Sequence, residues 1–279
     1  MTAAFLFALL PIWVRSVDAY SPLNIAFYRA LFCSIVLVLI MQTSGYKKRT
    51  LAVGKATGRE WLLLAGLGLA MCGSSVFYFF GILHTSVAKA VLLNYTAPIY
   101  VAIFAPVVLK EKNSSRAWLA VIIGLAGIAL IADPRKLIQT RSEEFAGIVS
   151  SLASGFSFSG VFLIGRKLSG RLTAIAETMW GGLFMALVLI PWAFVAPDAR
   201  FLKNLPFLVL IGTISMAIPF TLLYKGQHYI SAQVSSTASL FEPVCGVAIG
   251  YLVYHEHLTT AGIVGGVAVL VSIVLASRA

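Results

Sequence analysis

Glu242 precedes Pro243 in the stretch SLFEPVCG, residues 239–246, and from Gly226 to His255 no other Lys, Arg, Asp or Glu occurs. A lone carboxylate beside a helix breaker in an apolar element has few uses. It can bind a cation, carry a proton or tie helices together. Ser231, Ser235, Ser239 and Glu242 follow one another at i, i+4, i+8 and i+11, the spacing of one helix face. The sequence therefore predicts a polar stripe leading to the carboxylate, suited to a substrate amine or a coupling proton. The structural alternative has Glu242 bridging to Arg29 or to backbone groups.

Two prolines carry a related signal. Pro98 and Pro243 lack an N–H and leave the carbonyls four residues earlier, those of Asn94 and Ser239, without a helical partner. Such helix breaks are tolerated inside a membrane where backbone lines a water-filled cavity; the alternative is two kinks in packed helices. Tyr78, Asn94, Tyr95, Ser235, Ser239 and Glu242 form the candidate substrate-binding set, with Tyr95 singled out by its neighbours Asn94 and Pro98. Tyr100 and Trp180 read as interface anchors or packing.

Arg29 and Lys89 are the candidate charge partners, for Glu242 or for a substrate carboxylate. Lys89 is expected to snorkel to the outer interface, or, turned inward, to attract anionic groups. Glu177 reads as interfacial, and Glu111 and Glu256 as loop-setting or gate residues. No catalytic set emerges. The histidines of HEH, 255–257, lack the spacing of a zinc-binding HExxH, and no Gly-x-Ser-x-Gly or nucleotide-binding motif is present. Cys33, Cys72 and Cys245 form no CxxC pair and read as small packing residues. The expectation is no enzyme, no metal, no cofactor and no ATP-driven motor within the chain.

The elements that must position these residues follow from composition. Of 279 residues 59% are hydrophobic and 11% charged, against about 25% charged in soluble domains. A spanning helix needs about 20 mostly apolar residues. Ten segments qualify or nearly so: 2–15, 22–42, 60–82, 86–108, 115–132, 145–165, 173–193, 204–224, 231–253 and 259–277. The first has 13 residues before Arg15, so a longer helix is expected to be trimmed at this start. No barrel-like alternation of polar and apolar residues is present, and no cleavable signal peptide is evident. The fold expected is an all-α membrane protein of ten transmembrane helices in a lipid bilayer.

The net charge of +11 is spread between these segments rather than gathered in a patch, which argues against nucleic acid. One alternate set of loops carries thirteen Lys and Arg and the other six. By the positive-inside rule the richer set, with both termini, faces the cytoplasm. Residues 81–111 match 226–256 at a constant offset of 145: Gly81 with Gly226, Ser86 with Ser231, Pro98 with Pro243 and Glu111 with Glu256. Each half, 1–134 and 135–279, then holds five spans, and an odd number turns the second half upside down. Inverted repeats of this kind place substrate sites near the midplane.

The pieces SPLNIAFYRALF (21–32), AVLLNYTAPIYVAIFAPVVLKE (90–111) and STASLFEPVCGVAIGYLVYHE (236–256) resemble the drug/metabolite transporter superfamily, specifically its ten-helix EamA-type exporters. The resemblance covers nearly the whole chain, and its closing helix occurs twice. It implies a bacterial cytoplasmic-membrane carrier that exports amino acids or similar small metabolites by alternating access. Among subgroups, amino-acid exporters of the YddG kind are the nearest in character. A single chain is expected to suffice, with a dimer as the alternative. Other cargo classes (nucleotide sugars, cations, drugs) stay open, as does a membrane scaffold or receptor that transports nothing.

Overall fold

The computed structural model describes residues 1–10, 13, 17, 20–43, 56–112, 114–132, 144–193, 200–254 and 259–278. Among them helices account for nearly everything, and no strand is formed. The helices are α1 (Thr2–Ala8), α2 (Pro22–Thr43), α3 (Gly58–His84), α4 (Val87–Asn94), α5 (Ala97–Val108), α6 (Ser115–Ile131), α7 (Phe145–Leu168), α8 (Ala174–Leu189), α9 (Arg200–Gly212), α10 (Ile218–Gln227), α11 (Ala232–Ser239), α12 (Phe241–Tyr254) and α13 (Thr260–Ser277). Seven helical stretches among the described residues are long and apolar enough to cross a bilayer, and α6 is a shorter apolar helix. The expected ninth span is two helices, α11 and α12, parted at Leu240. Of the expected first span, only Thr2–Ala8 lies in a described helix apart from single residues near its end.

Equivalent positions adopt equivalent local structure. α4 and α11 have eight residues each and start 145 apart. Both are capped by a serine: Ser86 accepts from the Lys89 N–H at 3.3 Å and Ser231 from the Val234 N–H at 3.2 Å. Ser114 and Thr259, again 145 apart, cap α6 and α13 in the same way. A hydroxyl at this position satisfies a backbone donor that the first turn leaves orphaned. Ser34 of α2 donates to the carbonyl of Met179 in α8 at 3.1 Å, a contact between two residues that are themselves 145 apart.

Small residues let the helices meet closely. The pairs α3/α7 and α6/α13 pack along their lengths. At the second seam, a Cβ on Gly127 would fall 2.6 Å from the Gly265 carbonyl, and one on Gly265 2.5 Å from that of Gly127. Backbones this close require glycine on both sides, which is how apolar helices associate where no hydrophobic drive separates protein from lipid. The main core gathers α2, α3, α8 and α10 around Cys33, Leu67, Met71, Met185 and Tyr224.

Candidate functional site

The two breaks differ from simple kinks. Pro98 and Pro243 lie in the first turns of α5 and α12, where a missing N–H leaves no helical bond unmade. Asn94 ends α4 and Ser239 ends α11, so the chain turns between the paired helices. The expectation of a freed Asn94 carbonyl facing a cavity is corrected here. That carbonyl packs on α7, where a Cβ at Gly155 would stand 2.9 Å from it and 2.6 Å from the Leu93 carbonyl. The Asn94 side chain also meets α7, its Oδ1 accepting from Ser154 at 2.9 Å.

A cavity of about 120 Å³ opens beside the breaks. Each water needs about 10–15 Å³ of such space and a few polar partners, so the cavity has room for several. Arg29, Tyr78, Asn94, Tyr95 and Glu242 line it together with Ser74 and Ser75. The Tyr95 phenol stands beside the Glu242 carboxylate, and Arg29 supplies the opposite charge felt there. Phe7, Phe79, Phe158 and Phe220 provide apolar wall, and Met71, Met185 and Met216 provide polarizable thioether wall. The chamber thus offers one anion, one cation, hydroxyl and amide groups, and aromatic faces.

Arg29 forms no ion pair with Glu242 among the described residues. Its Nη2 donates instead to the Ser215 carbonyl at 2.6 Å. Ser215 lies in a π-helical turn, Thr213–Ala217, between α9 and α10. Pro219 stands four residues later, so an α-helical i+4 N–H is missing for that carbonyl, and the guanidinium donates to it. The Nε of Arg29 is buried and meets no acceptor among the described residues. Sequence reasoning applied the proline rule to Pro98 and Pro243 but not to Pro219, where the same signal was present.

The polar stripe is the clearest correction. Because the helix ends at Ser239, the serines and Glu242 do not share one continuous face. Ser231 caps α11, and Ser235 donates to the Ala232 carbonyl at 3.0 Å while accepting from Gln227 at 3.0 Å. Ser239 donates to the Ser236 carbonyl at 2.6 Å. Ser235 and Ser239 border a second cavity of about 200 Å³, walled by Phe162, Leu222 and Leu223. Serine can satisfy itself on the carbonyl one turn back, so its spacing alone does not mark a path.

Charges outside the chamber join distant helices. Lys89 does not snorkel: it is 4% exposed and pairs with Glu144 at 2.5 Å, with Thr85 donating to the same carboxylate at 3.4 Å. Glu111 accepts from Arg166 Nε at 2.6 Å and from the Ala232 N–H at 3.0 Å, while Arg166 also donates to the Gln227 carbonyl. Glu256 lies outside the described residues. Glu177, expected at an interface, is fully buried, and neither of its oxygens meets a donor among the described residues. Tyr100 packs edge-on against Phe156 at 5.5 Å and Trp180 edge-on against Trp61 at 4.6 Å, away from the chamber. The three cysteines are free and buried. Ser74 and Ser75 went unnoticed in the sequence, although Ser74 precedes Tyr78 by one helical turn and so shares its face.

The sequence profile of the EamA-like transporter family matches residues 1–132 and again 145–278. An uncharacterized transporter of Archaeoglobus fulgidus is 28% identical over 280 residues, covering 99% of this chain and 94% of its own. The pseudopaline exporter CntI of Pseudomonas aeruginosa is 25% identical, covering 99% of this chain and 93% of its own. A solved crystal structure superposes with a TM-score of 0.83 at 17% identity, over 99% of this chain and 94% of that one. That last likeness speaks to the fold alone.

Proposed function

Because this chain belongs to the EamA-like transporter family and is a multi-pass membrane transporter, we propose that it is a secondary carrier exporting amino acids or similar small zwitterions from a bacterial cytoplasm. The supporting observation is the chamber, lined by both Glu242 and Arg29 with no ion pair between them among the described residues. A substrate amine goes to Glu242 and Tyr95, and a substrate carboxylate to the Arg29 guanidinium. Tyr78, Asn94 and the aromatic wall take the side chain. Both halves contribute, Tyr78, Asn94 and Tyr95 from 1–134 and Glu242 from 135–279. Two oppositely oriented five-helix units rocking about that chamber give alternating access. Helix equivalences at an offset of 145, and the Ser34–Met179 contact between equivalent residues, support the repeated arrangement, and the Lys and Arg distribution favours both termini in the cytoplasm.

The test is exchange of labelled amino acids in reconstituted vesicles. Saturable exchange of aromatic or neutral amino acids is expected. No exchange with any member of the panel overturns the substrate class. The likeness to the pseudopaline exporter favours a second reading, export of pseudopaline or a compound like it, and labelled pseudopaline in the same vesicles decides between them.

A further inference from the structure

Glu177 occupies the layer next to the chamber, on the side where α2 and α10 end and α3 and α8 begin. The chamber wall includes Arg29 on α2, Met71 on α3, Met185 on α8 and Phe220 on α10. One turn further along α2 and α10 come Cys33 and Tyr224, and two turns back along α8 comes Glu177. The Tyr224 ring packs on Phe220 at 5.9 Å, and its hydroxyl points at the Met71 sulfur at 4.0 Å. Thr221 donates to Thr178 at 3.2 Å, joining α10 to α8 in the same layer. These contacts lie between the chamber and the face that the Lys and Arg distribution assigns to the cytoplasm.

Among the described residues no counter-charge reaches Glu177 there. On α10 the group it faces is the Tyr224 phenol, which also faces the Cys33 thiol of α2. α3 presents Leu67, Gly68 and Met71 to α8. The short helix Ile190–Trp192 that also touches α8 holds no titratable group. Arg29 is held at Ser215. Glu60 is elsewhere, near Arg171 at 3.9 Å. An ionised carboxylate buried without a partner is costly, whereas the acid form asks far less of its surroundings. The other described glutamates all have partners: Glu60, Glu111 and Glu144 in ion pairs and Glu242 with Tyr95.

We infer that Glu177 is a proton-binding site built into this layer, holding one proton while the layer is closed and yielding it to cytoplasmic water when the layer parts. The carboxyl O–H bond breaks, its electron pair stays on oxygen, and the proton passes to water. A ligand that binds one of two conformations shifts their balance by its differential affinity, so a higher cytoplasmic pH favours the parted layer. The inference rests on the carrier reading above, but its first test does not need a substrate.

Infrared titration of the purified full chain reads the acid directly. The wild type shows a carboxylic-acid carbonyl band at neutral pH that Glu177→Gln loses and Glu242→Gln keeps; Glu177→Asp retains it, displaced. A band unchanged in Glu177→Gln overturns the inference. In vesicles that exchange labelled phenylalanine, raising the pH on the cytoplasmic face by about two units speeds wild-type exchange about fivefold or more, and Glu177→Gln exchange less than about twofold. An equal response in the two proteins overturns it as well. Absence of all exchange removes the carrier reading and leaves the infrared result to decide on the proton site.

Discussion

The two broken helices share a backbone plan and differ in chemistry. α4 turns into α5 across Tyr95 and Thr96, and α11 into α12 across Leu240, with a serine cap at each start and a proline just past each break. At the offset of 145, however, Tyr95 corresponds to Leu240 and Glu242 to Ala97; Leu240 and Ala97 are both fully buried. The phenol and the carboxylate that meet in the chamber therefore come from non-equivalent positions. A pseudo-symmetric scaffold fixes where the breaks fall, and single residues decide what each break offers. An asymmetric cargo, with one end unlike the other, fits such a site better than a symmetric one.

The strongest way to break this comparison is to remove its chemical asymmetry. Glu242→Gln keeps the shape and removes the charge, so a charge-assisted bond worth about 2–3 kcal/mol is lost. Amino-acid affinity in vesicle exchange should fall about 30- to 150-fold, at about 1.4 kcal/mol per tenfold. Moving the carboxylate to the equivalent place, Ala97→Glu with Glu242→Ala, should not restore it, because no tyrosine stands opposite. Recovery to within about threefold of wild type would show that either break can host the anion, and the asymmetry would lose its meaning.

The difference between the halves also shows what the sequence could disclose. Apolar runs of about 20 residues disclosed the helices, since lipid leaves the backbone few other solutions. Tyr78, Asn94, Tyr95, Arg29 and Glu242 were readable as candidates because polar groups in a span are expensive, and the structure brings all five to one cavity. Ser235 and Ser239 misled, because a serine can be polar, periodic and already satisfied by its own helix. Lys89 and Glu177 were misplaced for a different reason. The partner of Lys89 is 55 residues away, and the seclusion of Glu177 depends on α2, α3 and α10 closing over it. Spacing along one helix carries neither fact. The Arg29–Ser215 contact was half legible, through Pro219.

A second comparison is local. The first break is pressed against α7 at Gly155 and the second, through Leu240, against α6 at Gly124, whereas Gly246 farther along α12 has open space around its Cβ position. Gly155→Ala should drive its methyl into the Leu93 and Asn94 carbonyls and cost about 1–3 kcal/mol, read as a lower thermal midpoint in detergent. Gly246→Ala should be neutral or stabilising by up to about 1 kcal/mol through helix propensity. Equal losses at both sites would mean that the close approach at Gly155 carries no cost of its own, contrary to the packing.

The smallest effect tests what the halves have in common. Ser86 and Ser231 each accept one first-turn N–H, at 3.3 and 3.2 Å. Replacing either by alanine should cost about 1 kcal/mol, and the double substitution about the sum, since the two caps open different helices and share no hydrogen-bond partner. Thermal midpoints of the two single variants should then agree closely. Near-equality is informative because nothing else about the two turns is equal: Ser86 precedes the Lys89–Glu144 pair, while the turn after Ser231 offers its Ala232 N–H to Glu111. If Ser231→Ala costs several times more than Ser86→Ala, the cap at α11 is acting with the Glu111–Arg166 cluster, and the likeness of the two breaks ends at the backbone.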